Sequence, residues 1–130
     1  MKRVTGLGGV FFKSKNPEKL KEWYIEHLGV PIVQEETGSY VIFDWQEQAK
    51  LEKNGYTLWG PFKDETNYFE PSNKPYMFNF TVDNLEELLK VLKEEGVYVI
   101  DRIEEHEQGK FGWILDPEGN KIELWEPTKK

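Results

Sequence analysis

The sequence feature that most constrains the fold is an internal repeat of element order. Local patterns predict a strand, a helix and three strands, then a connecting segment, then the same order again. At an offset of 68 residues Phe12 coincides with Phe80, Asn16 with Asn84 and Leu20 with Leu88. At an offset of 66 residues Leu58–Pro61 coincides with Leu124–Pro127. Each match is weak alone, but together with the element order they favour a duplicated unit.

Both predicted helices carry start and stop signals. Asn16 is a candidate N-cap before Pro17, and Gly29 ends the first helix. Asp83 is predicted to cap the second helix, which Gly96 ends. The buried stripe predicted for this second helix consists of Leu85, Leu88, Leu89 and Leu92.

The remaining apolar runs predict strands separated by turn residues. They cover 4–12, 30–36, 39–45, 56–62, 75–82, 97–103, 111–115 and 121–126, with a turn at Thr37-Gly38 and a polar loop or one helical turn at 46–54. The prediction is therefore an α+β fold of two βαβββ modules, about 4–62 and 75–127, joined by 63–74. Because one helix covers one face of each small sheet, the other faces would form a curved mixed sheet with a central groove.

Composition excludes several kinds of site and partner. The 130 residues include no cysteine and only two histidines, which rules out disulfides, thiol nucleophiles and a multi-histidine metal cage. The net charge of −7 argues against nucleic-acid binding. No apolar run reaches the ~18 residues of a membrane span, and the charged start of the chain lacks a signal-peptide cleavage site. We expect a cytoplasmic protein.

Several segments resemble the vicinal oxygen chelate superfamily of glyoxalases, extradiol dioxygenases, fosfomycin-resistance enzymes and bleomycin-resistance proteins. They are Asn16–Lys19 leading into Trp23-Tyr24, Phe80–Leu85 and, as the most specific, Asp116–Leu124. The resemblance covers nearly the whole chain. It implies the glyoxalase/bleomycin-resistance/dioxygenase-like fold, a single domain over residues 1–130, and ligand binding in the groove.

The resemblance also implies where the superfamily's metal ligands would lie. They fall on the first and last strands of each module, at Gly9, Thr57, Met77 and Glu123. Three of these residues are unsuited to a hard divalent ion, which prefers imidazole and carboxylate ligands. The sequence thus predicts a protein without a metal or cofactor. The alternative is a divalent metal bound by Glu123, with a shifted set of ligands that includes His106.

Strand alternation selects the residues that would line the groove. Glu123 is the candidate catalytic or ligand-binding carboxylate. The predicted lining consists of Thr57, Trp59, Met77, Asn79, Trp113, Trp125, Gly9 and Phe11. The alternative is that these aromatic side chains pack on each other or on a partner chain. Tyr68-Phe69-Glu70 in the connecting segment is either an arm over the groove or a surface loop.

These residues favour a metal-independent protein that binds a small aromatic or cationic amphipathic ligand. A homodimer is expected, since the resemblance implies sites built across a dimer interface. The alternative is an enzyme, a lyase, isomerase or dioxygenase-like protein acting on a small carbonyl or oxygenated substrate with Glu123 as base or metal ligand. A third alternative is an interaction module whose exposed aromatic residues contact another protein.

Overall fold

The computed structural model describes residues 1, 3–35 and 38–129, which form three helices and six strands within those ranges. In chain order they are α1 (Pro17–Leu28), β1 (Ile32–Glu35), β2 (Gly38–Val41), α2 (Trp45–Leu51), β3 (Phe78–Thr81), α3 (Leu85–Glu94), β4 (Tyr98–His106), β5 (Gly109–Leu115) and β6 (Lys121–Pro127). Over the described ranges, no helix has the length and apolar character needed to cross a membrane.

The larger sheet has the strand order β3-β6-β5-β4. β3 is parallel to β6, while β6, β5 and β4 are antiparallel neighbours, so the sheet is mixed and open. A register shift between Ile100 and Ile103 interrupts the β4–β5 ladder. With α3 between β3 and β4, this is the βαβββ order predicted for the second module. β1 and β2 form a separate antiparallel hairpin.

The hydrophobic core lies between the helices and one face of the larger sheet. Ile122 and Leu124 are fully buried there, as strand alternation predicts for the face under the helices. α3 packs closely because Gly112 of β5 leaves room for it: a Cβ at this position would come within 2.8 Å of a methyl of Leu89. The other core residues are Leu20, Tyr24, Val30, Leu85, Leu92, Val97 and Ile114.

The helix ends follow the sequence signals with one correction. The Asn16 side chain accepts a hydrogen bond from the Lys19 amide, Pro17 begins α1, and Gly29 ends it in the left-handed region at φ 62°. The N-cap of α3 is Asn84 rather than Asp83, because the Asn84 side chain accepts from the Glu87 amide at 3.2 Å. The type of cap is the one that was predicted for Asp83, but it is made by the next residue.

A turn at Asp116–Asn120 connects β5 to β6 and joins them to α1. The buried Asp116 carboxylate accepts from the Tyr24 hydroxyl at 2.7 Å and from the Asn120 side-chain amide at 2.6 Å. The pKa of the Tyr24 hydroxyl is raised mainly by burial and, second, by the charge of Asp116, so the hydroxyl stays protonated and can donate. Glu118 extends the connection by accepting from Ser14 at 2.7 Å.

Two strands predicted for the first module are not formed in the described residues. Segments 4–12 and 56–62 carry no strand. Phe12 packs on the second module, 4.7 Å from Phe78, whereas Phe11 and Trp59 are largely exposed. Apolar alternation indicates a strand but does not supply its partner.

The predicted strand 39–45 also ends earlier than expected, because Asp44 caps α2 and Trp45 begins that helix. The polar stretch after Trp45 is therefore helical over two turns. Of the predicted turn at Thr37-Gly38, Thr37 lies outside the described residues.

Candidate functional site

The candidate site is built around Glu123, a carboxylate that is only 8% exposed at the middle of β6. Its register partners are Asn79 on β3 and Trp113 on β5, so three side chains form one row across three strands. Asn79 Nδ2 donates to Glu123 Oε1 at 2.7 Å, and Trp113 Nε1 donates to Oε2 at 2.9 Å. The row lies on the sheet face opposite the core.

A third hydrogen bond comes from the segment between the modules, here called the strap (residues 63–74). The Tyr68 hydroxyl donates to Glu123 Oε2 at 2.5 Å. Burial, followed by this hydrogen bond, raises the pKa of Tyr68, so its hydroxyl stays protonated. Glu123, Asn79, Trp113 and Tyr68 together are called the carboxylate cluster. All three donors to the carboxylate are neutral groups.

Two cations lie beside the carboxylate cluster. Lys121, on the same face of β6, is 3% exposed and donates to the main-chain oxygen of Tyr68 at 2.5 Å. Its amine lies 5.5 Å from the centre of the Trp113 ring, and burial lowers its pKa, with Arg102 adding to the effect. The Arg102 guanidinium lies 4.7 Å above the same ring and pairs with Glu104 at 3.0 Å. The two negative charges of Glu123 and Glu104 are therefore matched by the two positive charges of Lys121 and Arg102.

Aromatic rings continue along this face of the sheet. Phe111 and Trp125 lie parallel at 6.1 Å, and Tyr56 contacts Trp125 edge-on at 5.0 Å. Trp125 Nε1 donates to the main-chain oxygen of Gln108 at 2.8 Å, which fixes the indole. This face of the sheet thus carries two groups of aromatic rings, Trp113 with Tyr68 and Trp125 with Phe111 and Tyr56. Aromatic rings with a few polar groups at fixed positions are typical of small-molecule sites.

The structure brings together four of the residues predicted to line the groove, namely Glu123, Asn79, Trp113 and Trp125. Met77 is half-buried just before β3. The first-module residues are elsewhere: Gly9 and Thr57 are exposed, Phe11 is 96% exposed and Trp59 is 80% exposed. They form no second wall beside the carboxylate cluster, because the two strands that would carry them are not formed.

Sequence reasoning gave Tyr68 only as a possible arm, and it missed Lys121 and Arg102. The signal for Lys121 was present, because it is two residues before Glu123 and so shares its face. Arg102 lies within the register shift of β4, where simple alternation does not predict the direction of a side chain.

The family follows from a comparison with known sequence families. The profile of the Glyoxalase/Bleomycin resistance protein/Dioxygenase superfamily matches residues 7–124. The chain belongs to this superfamily. No curated protein sequence matches it.

Solved structures show the same superfamily fold at low sequence identity. An integron cassette protein from V. cholerae is 17% identical, with a TM-score of 0.62 over 98% of this chain and 99% of the other. A superfamily member from Sphaerobacter thermophilus is 22% identical, with a TM-score of 0.53 over 87% and 90%. TnmS3, an antibiotic-binding protein from Streptomyces sp. CB03234, is 21% identical, with a TM-score of 0.51 over 88% of each chain.

The superfamily's metal positions, as the resemblance placed them, do not fit a metal ion in this chain. Glu123 already accepts three hydrogen bonds, Met77 offers a soft thioether, and Gly9 offers no side-chain ligand. Within the described ranges, no group of three His, Cys, Asp or Glu residues is arranged to hold a metal.

Proposed function

We propose that the protein binds a small aromatic molecule, without a metal, on the sheet face that carries the carboxylate cluster. The observation that carries this proposal is the state of Glu123. Its carboxylate is nearly buried, accepts from three neutral donors and, among the described residues, has no cationic group within ion-pair distance. A carboxylate held in this way beside aromatic rings is a specific acceptor for a ligand's hydrogen-bond donor.

The charges around the site favour a neutral aromatic ligand over a cationic one. Lys121 and Arg102 both contact the ring of Trp113, and each would repel a ligand cation placed near Glu123. The likeness to an antibiotic-binding protein is consistent with a binding role but extends to the fold alone. The alternative is an enzyme in which Glu123 acts as a base on a small carbonyl substrate.

Binding is tested by titrating ¹⁵N-labelled protein with indole, a neutral aromatic donor, and with benzamidine, a cationic one. The readout is the side-chain N–H resonance of Trp113, which reports directly on the hydrogen bond to Glu123. We expect a saturable shift with indole and a weaker one with benzamidine. Loss of the carboxylate charge in Glu123→Gln should weaken indole binding by roughly tenfold.

Glu105→Gln is the matched control, because Glu105 is exposed on β4 and makes no contact with the carboxylate cluster. It should bind indole as the wild type does. If neither compound moves the Trp113 resonance at millimolar concentration, the proposed site is wrong. Conversion of a small carbonyl substrate that is abolished by Glu123→Gln would instead establish the enzymatic alternative.

We further propose that two copies of the chain associate through the first module. Segments 3–13 and 55–62 expose large apolar side chains, including Val10, Phe11, Phe12, Leu58, Trp59 and Phe62. By the internal repeat, these segments correspond to β3 and β6, which pair with each other in the second module. Large apolar side chains exposed in this number are unfavourable in water, and a partner chain that covered them would remove this cost.

A further inference from the structure

The side chain of Tyr68 makes every contact that a bound phenol would make. Its hydroxyl donates to Glu123 at 2.5 Å, and its ring meets Trp113 edge-on, with centres 6.3 Å apart and planes at 87°. Phe62 stacks on the ring at 5.6 Å and 19°, and the Lys121 amine lies 5.1 Å from the ring centre. An acceptor for the hydroxyl, an aromatic wall, a stacking ring and a cation thus surround one phenol.

This phenol is attached to the sheet through a segment with few other long-range contacts. The strap has no helix or strand in its described residues, and most of its own hydrogen bonds are short-range turns, such as Glu70 amide to Asn67 oxygen at 3.1 Å. Beyond these turns, the Lys74 amine donates to the Asn120 side chain at 3.4 Å. Near Tyr68, the main bond to the sheet besides the hydroxyl is the one from Lys121 to the Tyr68 main chain. Segments held by so few contacts open locally at low cost in free energy.

We propose that the ligand of this site is a neutral phenol or hydroxyarene, which binds by displacing the side chain of Tyr68. The inference rests on the proposed function, since it concerns the same site. The incoming hydroxyl donates to Glu123, its ring packs edge-on against Trp113, and Lys121 lies over its face. Tyr68 is then an internal competitor that keeps the carboxylate hydrogen-bonded when the ligand is absent.

The hydroxyl is the group that the site selects. An aromatic compound of the same shape without a hydroxyl leaves a buried carboxylate oxygen without one of its donors, which is costly. A phenolate is disfavoured for a different reason, because it would place a second negative charge against Glu123. The site therefore distinguishes phenols from both hydrocarbons and anions.

The test compares p-cresol, which reproduces the side chain of tyrosine, with toluene, which lacks the hydroxyl. Calorimetry and the Trp113 N–H resonance are measured for the wild type and Tyr68→Ala. Removing the competitor should tighten p-cresol binding by about tenfold or more, and toluene should bind the variant about tenfold more weakly than p-cresol. The wild type should bind p-cresol weakly, with a shift of the same resonance.

Tyr76→Ala is the matched control, because Tyr76 is a tyrosine whose hydroxyl donates to Asn120 at 2.9 Å, outside the carboxylate cluster. It should leave the response of Trp113 to p-cresol unchanged. If Tyr68→Ala does not fold, Tyr68→Phe takes its place. It keeps the ring but loses the competing hydroxyl, so p-cresol should again bind more tightly than to the wild type.

Equal binding of p-cresol and toluene by Tyr68→Ala would overturn the inference. If the wild type still bound indole in that case, the proposed function would stand and only the ligand class would be wrong. Binding of p-cresol by the variant, with no aromatic compound bound by the wild type, would also overturn the inference, and Tyr68 would then be a structural closure of the face.

Discussion

Trp113 and Glu123 lie directly opposite each other on β5 and β6, and the indole nitrogen donates to the carboxylate at 2.9 Å. Both side chains are nearly or fully buried, Trp113 completely so. The hydrogen bond therefore contributes to stability, because a buried carboxylate requires its donors.

Trp113→Phe keeps an aromatic ring in the sheet but removes one donor to Glu123. We expect the free energy of unfolding to fall by about 1–3 kcal/mol, from the unsatisfied carboxylate and the smaller ring. Urea denaturation followed by circular dichroism measures the change. Trp45→Phe, at an exposed tryptophan, should change it by less than about 0.5 kcal/mol. If Trp113→Phe and Trp45→Phe lowered the free energy of unfolding equally, the hydrogen bond from Trp113 to Glu123 would not contribute to stability.

Gly112→Ala tests the close packing of α3 on the sheet. The added methyl group would lie 2.8 Å from a methyl of Leu89 and 3.3 Å from one of Leu85, so the Leu89 side chain must shift within the core. A loss of about 1–3 kcal/mol in unfolding free energy is expected from this overpacking. Gly60→Ala is the control, because nothing lies within 4 Å of its added Cβ. A neutral result at Gly112, measured by urea denaturation, would show that the core has room for the methyl.

Tyr24→Phe removes the hydroxyl that joins α1 to Asp116. The lost bond is 2.7 Å long, is made to a buried carboxylate and connects the two modules. A decrease of about 1.5–3 kcal/mol in unfolding free energy is expected, the usual range for a hydrogen bond to a charged group. Tyr98→Phe, at an exposed position on β4, serves for comparison and should be close to neutral. A neutral Tyr24→Phe would mean that Asp116 obtains a replacement donor.

Glu118 should make stability depend on pH. The hydrogen bond from Ser14, followed by those from the Lys15 and Asn16 amides, lowers the pKa of Glu118 below 4.5. A lowered pKa in the folded state adds stability above the unfolded pKa, and this stability is lost as the pH falls through the folded value. Glu118→Gln should therefore destabilise the protein at neutral pH, with a difference from the wild type that shrinks in acid.

The measurement for Glu118 is urea denaturation of wild type and variant at pH 7 and at about pH 3. Glu22→Gln, at an exposed position on α1, controls for the change in net charge. A difference between wild type and Glu118→Gln that stays constant with pH would show that the carboxylate charge has no part in holding residues 14–16.

The proposed association of two copies predicts a solution mass of twice the 15.4 kDa of one chain. Light scattering on a size-exclusion column measures it. Replacing Phe11 and Trp59 together by serine should shift the mass to that of one chain, since both project from the exposed segments. The double variant Trp45→Ser and Leu51→Ser removes comparable apolar area from α2. If this α2 variant dissociated the protein as fully as the Phe11 and Trp59 variant does, the interface would have to include α2.

Sequence patterns predicted the second module well because its local signals agree with its packing. Of the predicted leucine stripe of α3, Leu85, Leu89 and Leu92 are buried and Leu88 is partly buried against the core. Alternation along β6 assigned Ile122 and Glu123 to opposite faces correctly. The cap at Asn84 instead of Asp83 is an error of one residue. Two adjacent residues that both cap helices well cannot be ranked by pattern alone.

The first module and the strap were harder to predict for a physical reason. Segment 56–62 has the apolar content of a strand, but whether it pairs depends on residues far away in the chain, and Tyr56 instead contacts Trp125. Tyr68 lies in a segment without periodicity, so no pattern indicates where its side chain points. Its contact with Glu123 spans 55 positions of sequence and is visible only in three dimensions.

The parallel pairing of β3 with β6 has a consequence for how two such units are joined. The first and last strands of a unit run the same way, so a chain leaving one unit must travel back along a strand before it can start the next. β6 has seven residues and spans about 23 Å, whereas residues 63–74 reach at most about 40 Å. In this chain the connecting segment lies over the sheet face that carries Glu123, where Tyr68 meets the carboxylate, so the link between the two units also shields a buried charge from water.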